Sequence, residues 1–131
     1  MELNIVVDIS AQIENTKSKL QQIDDSLKRL TRELDGLPKG KSEDRLGNLI
    51  SLKIDVQAEL TTLIKKLEVA KVELFNQLMS VEMAAGAREV MIRRYVRLQQ
   101  FKVIAQEMKY SESHIFRLHR QGKRYFQRKM D

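Results

Sequence analysis

Residues 101–120 read Phe-Lys-Val-Ile-Ala-Gln-Glu-Met-Lys-Tyr-Ser-Glu-Ser-His-Ile-Phe-Arg-Leu-His-Arg. With Phe101 counted as the first of twenty positions, Ile104, Met108, Tyr110, Ile115 and Leu118 fall on the sites that a helix-turn-helix buries. The small Ala105 falls where its two helices cross. Lys109-Tyr110-Ser111 interrupts the apolar period, and the Ser111 hydroxyl is placed to cap the helix that follows. Lys109 stands where glycine is usual, so a left-handed backbone there carries a cost for a lysine.

Upstream, Ala87, Val90, Met91, Tyr95 and Leu98 share one helical face in a segment made basic by Arg88, Arg93, Arg94 and Arg97. Downstream, projection at 100° per residue turns Ile115, Leu118, Gly122 and Phe126 inward. Ser113, Arg117, Arg120, Gln121, Arg124 and Arg128 gather on the opposite side. Four outward arginines suit phosphate contact and guanine-edge readout. The candidate DNA-binding residues are therefore Lys102, Ser111, Ser113, His114, Arg117, Arg120, Gln121, Arg124 and Arg128. His114 and His119 are five apart, off metal-ligand spacing, and His119 is expected as a packed, hydrogen-bonded side chain. Tyr125 and Phe126 are expected as hydrophobic anchors, and Gly122 as a point where the helix frays or bends.

In the N-terminal two thirds the apolar residues alternate three and four apart: Val6, Ile9, Ile13, polar Thr16, Leu20, Ile23, Leu27, Leu30 and Leu34. That is a coiled-coil seam on one long helix over about 4–35. Gly36-Leu37-Pro38-Lys39-Gly40 stops it, and Ser42 with Glu43 and Asp44 reads as the start of a second helix over about 43–79. Its seam is Leu46, Leu49, Lys53, Val56, Leu60, Leu63, Leu67, Ala70 and Leu74, giving an antiparallel hairpin. Ile50, Ile54, Ile64, Phe75 and Leu78 lie beside that seam, so the stripe is wider than one partner helix covers. The following helices or residues 1–9 would bury it, or a homodimer in a four-helix bundle would. A helix break is expected between about 79 and 87, where Ala84-Ala85-Gly86 permits one.

The 131 residues suit one domain or a small domain with a helical appendage. With 32% charged and 5% aromatic residues, one proline and five glycines, the composition favours solvated helices over a β-sandwich. The absence of cysteine excludes disulfides, thiolate zinc sites and thiol nucleophiles. No stretch has the length of a membrane span and the N-terminus lacks a positive signal region, so a soluble cytoplasmic protein is expected. Residues 1–81 hold 12 Lys/Arg against 13 Asp/Glu, about −1; residues 82–131 hold 12 against 5, about +7. This asymmetry points to a polyanion-binding module joined to something neutral. Gly36 to Ser42 has three residues between glycines where a phosphate-binding loop needs four after a strand, so it reads as a turn. Asp24-Asp25 and Glu43-Asp44 read as helix surface and cap. No catalytic constellation appears, and neither an enzyme nor a cofactor is expected.

Ala87 to Tyr95, Val103 to Ser111 and Ile115 to His119 resemble region 4 of bacterial sigma factors. The fuller order, helical part first and sigma-like end second, is similar to phage and prophage transcriptional regulators of the ArpU and RinA type. The resemblance covers about residues 80–127, and the hairpin matches in general character alone. It implies DNA binding near promoters and contact with RNA polymerase, since sigma region 4 binds the polymerase flap. A complete sigma factor also needs an aromatic-rich melting region, and before Tyr95 the chain has one aromatic, Phe75. The expected architecture is all-α, with a coiled-coil hairpin over 1–79 and a helix-turn-helix domain over 80–131. The expected function is transcription regulation. A small terminase-like packaging factor is the alternative, although those proteins usually put the DNA-binding part first, and a protein-interaction module is a third reading.

Overall fold

The computed structural model describes residues 2–33 and 39–130, and it is all-α. Five helices run in order: α1 (Ile5–Glu33), α2 (Lys39–Ser80), α3 (Ala85–Tyr95), α4 (Phe101–Met108) and α5 (Glu112–Met130), with no strand among the described residues. None of these helices is long and apolar enough to cross a membrane. Of the stop expected over Gly36 to Gly40, Gly36 to Pro38 lie outside the described residues, whereas Lys39 and Gly40 already belong to α2. The second helix starts at Lys39, so Ser42 sits within it and is not its cap. A glycine inside a helix costs only about 1 kcal/mol, little against a 42-residue helix held by a long apolar seam. The break expected between 79 and 87 falls at Val81–Ala84.

The chain divides into two compact units, Ile9–Lys66 and Met1–Asp8 with Leu67–Asp131. In the first, Ile9, Ile13, Thr16, Ile23 and Leu30 of α1 and Val56 of α2 are buried. Both polar members of the seams are satisfied. Thr16 donates its hydroxyl to the Gln12 carbonyl at 2.8 Å, and Lys53 pairs with Asp24 at 2.8 Å. A surface hollow beside this pair is lined by Leu30 and Glu33 of α1 and Arg45 and Leu49 of α2.

In the second unit the end of α2 and the three short helices supply the core. Leu74, Leu78, Ala87, Val90, Met91, Ile104 and Ile115 are fully or almost fully buried. Val90, Ile104, Ala105 and Ile115 pack together, with Phe101, Met108 and Leu118 half-buried against them. Helix α2 ends on unspent carbonyls, and two basic side chains take them. Arg88 donates through Nε to Leu78 O at 3.3 Å and through Nη2 to Val81 O at 2.9 Å, and Lys129 Nζ donates to Ser80 O at 2.9 Å. Cations at the negative end of a helix also answer its dipole.

Helix α5 runs unbroken through Gly122, where it does not fray. Gly122 is buried, and a Cβ built there would come within 2.4 Å of Met91 Cγ and 2.7 Å of its sulfur. The glycine therefore marks the close crossing of α3 and α5. Two further expectations change. Tyr110, expected as core, is 47% exposed, and Tyr125, expected as an anchor, is 41% exposed, while Phe126 is buried. Tyr110 is held by its backbone in the turn, which leaves its ring outside.

Candidate nucleic-acid interface

The connection from α4 to α5 is fixed by backbone bonds. Lys109 adopts the left-handed conformation, φ 60° and ψ 39°. Its N–H donates to Gln106 O at 3.3 Å, and the Tyr110 N–H reaches back to Ala105 O at 3.0 Å. This paired closure satisfies two end carbonyls of α4, and it compensates the lysine for the unfavourable φ. Two residues on, Ser111 Oγ accepts the His114 N–H at 3.2 Å and caps α5 as its sequence position predicts. The His114 ring stands edge-on to Tyr110, centroids 4.6 Å apart.

From this cap α5 carries Ser113, Arg117, Arg120, Gln121, Arg124 and Arg128 on one exposed side, opposite the buried Ile115, Gly122 and Phe126. Lys102, in the first turn of α4, and Ser111 are exposed as well, and His114 is half-buried. Among the described residues, none of the four α5 arginines forms an ion pair. Their side chains face solvent.

The arginines upstream, three in α3 and Arg97 just after it, behave differently. Arg93 bonds Glu89 at 2.8 Å, Gln99 Oε1 at 3.3 Å and Glu107 of α4. Arg94 donates to Gln99 O at 3.1 Å and lies 4.5 Å from the centre of the Phe101 ring. Arg88 caps α2 as described, and Arg97 stays exposed. Sequence counting placed all four in one basic reservoir, but three of them bind this unit together. Leu98, with φ 57°, is a second left-handed residue that nothing in the pattern announced.

His119 is packed, as expected. Its ring stacks on Tyr95 at 5.6 Å and meets Phe101 edge-on at 4.9 Å, and its Nε2 lies 2.7 Å from Tyr95 Oη. Burial, then Lys123, Arg94 and Arg120, lower its pKa to about 4, so the ring is neutral at pH 7. Burial raises the Tyr95 pKa against the opposing pull of Arg94. A protonated phenol beside a neutral imidazole is a structural bond, with no charge offered to a ligand. Tyr110 was missed as a surface candidate because its register predicted burial; its exposed ring sits at the turn beside the α5 cap.

Comparison of the chain with protein-family models, with curated proteins and with solved structures returned no match.

Proposed function

We propose that the protein is a sequence-specific, double-stranded DNA-binding transcription regulator. In this reading, α1 and α2 form an antiparallel coiled-coil hairpin. Helices α4 and α5 form a helix-turn-helix of the sigma region 4 type, with α3 as its supporting helix. The single observation that carries the reading is the division of the arginines. Those of α3 are committed to internal partners, whereas Arg117, Arg120, Arg124 and Arg128 form one exposed face on the helix that follows the turn, with no ion pair among the described residues.

A recognition helix enters the major groove with its N-terminal residues against base edges. Ser113 and Arg117 lie near that end of α5 and are the base readers. Arg120, Gln121, Arg124, Arg128 and Lys102 hold the phosphates, with Ser111 and Tyr110 offering hydroxyls at the turn and His114 beside them. The resemblance to phage and prophage regulators adds a cytoplasmic setting near promoters, and RNA polymerase as a second partner. The protein acts by binding, without catalysis or cofactor. Selection of bound duplexes from a random pool, followed by titration of the winner and a scrambled duplex, tests the proposal. The expected result is an enriched site bound at least about a thousandfold more tightly than the scrambled duplex. Equal affinity for both rejects sequence-specific regulation, and no binding rejects a DNA function.

A further inference from the structure

Helix α2 carries a second line of residues, separate from its buried seam. Ile50, Ile54, Gln57, Thr61, Ile64, Glu68, Val72, Phe75 and Met79 fall within about 40° of a common direction at 100° per residue. All nine are exposed. The six apolar members are large and 40–59% exposed, on a continuous helix of 42 residues. A line this long has the three- and four-residue spacing of a coiled-coil seam and is left uncovered along α2.

Its pattern identifies the partner. Setting Ile64 aside, the spacings between successive members are 4, 3, 4, 7, 4, 3 and 4, the same in both directions. A second copy of α2 laid antiparallel therefore places Ile50 against Met79, Ile54 against Phe75, Gln57 against Val72 and Thr61 against Glu68. Ile64 meets its own counterpart beside the two-fold axis. Large apolar residues meet each other at both ends and the polar members lie toward the middle. A parallel copy would instead stack Glu68 on Glu68. Self-complementarity of this kind is what an isologous two-fold interface requires.

We infer that this line is the interface of a homodimer, in which the two α2 helices cross antiparallel about Ile64. The inference stands independently of the DNA reading.

The chain has no cysteine, so single-cysteine variants report the register cleanly. Ile54→Cys mixed with Phe75→Cys should yield a disulfide-linked pair on mild oxidation, and neither variant alone should. Crosslinking of Ile54→Cys to itself indicates a parallel pair and overturns the inference. So does sedimentation of the unmodified full chain as a monomer at tens of micromolar. Thr61→Arg, set opposite the partner's negative charge at position 68, should tighten dimerisation about two- to fivefold, and Thr61→Glu should weaken it similarly. Equal effects of the two substitutions also overturn the register.

Discussion

Gly122 lacks a side chain, and at that point of α5 its absence lets α3 come close. An alanine there gains about 1 kcal/mol of helix propensity but drives a methyl group into the buried Met91. Overpacking of this sort costs about 1–3 kcal/mol, so Gly122→Ala should lower stability in denaturant melts despite the better helix former. Met91→Ala in the same chain should remove the clash and make the two effects non-additive. Lys109 is the opposite case: Lys109→Gly relieves a left-handed backbone at φ 60° and should be neutral or stabilising by up to about 1 kcal/mol. His119 gives a pH test. Its folded pKa, about 4, lies below the unfolded value of 6.5, so the unfolded chain binds a proton first as pH falls. The stability associated with its neutral form is complete above about pH 6.5 and is lost toward pH 4. His119→Gln should flatten the melting temperature between pH 6.5 and 5 relative to the unmodified chain, and an unchanged slope would show that the ring titrates normally.

Helix α5 joins two tasks that sequence position separates, packing on one side and an arginine row on the other. Arg117 lies nearer the N-terminal end than Arg124, and a bidentate arginine–guanine contact is worth about 1–3 kcal/mol of discrimination. Arg117→Ala should therefore weaken the selected duplex far more than a scrambled one. Arg124→Ala should weaken both alike, and equal losses from both variants would remove Arg117 as the reader. Arg88→Ala provides a contrast in the same basic third: it uncaps α2 and should cost about 1–3 kcal/mol of stability. The seams, the helix break and the α5 cap were legible because each rests on local spacing: three–four alternation, Ser111 before an apolar run, small residues at 84–86. The roles of Gly122 and the α3 arginines were not, because they depend on which residue lies opposite in space. Periodicity says that Arg93 leaves the core face, but only the fold brings Gln99 and Glu107 to it. Tyr110 was misread for a related reason: a turn residue takes its direction from the backbone bonds around Lys109, where helical counting no longer applies.

At the scale of the whole molecule, charge and assembly meet in one measurable quantity. Residues 82–131 hold the whole positive excess, about +7 against −1 for the remainder, and several of those cations are already spent on internal bonds. Lys102, Arg117, Arg120, Arg124 and Arg128 are exposed, and in the proposed reading Arg117 meets bases while the other four meet phosphates. Each neutralised phosphate adds about −0.9 to the slope of log affinity against log salt, so one copy on DNA should show a slope of about −4. Two copies bound together on one duplex should show about −8. Ile64→Asp, which places two carboxylates at the proposed two-fold axis, should return the slope to about −4 while circular dichroism keeps the same helix content. A slope near −4 for the unmodified chain at concentrations where it sediments as a dimer means that only one copy touches DNA. A slope near −1 means that the α5 arginines do not meet phosphates, and the DNA assignment of that face fails whatever the assembly state.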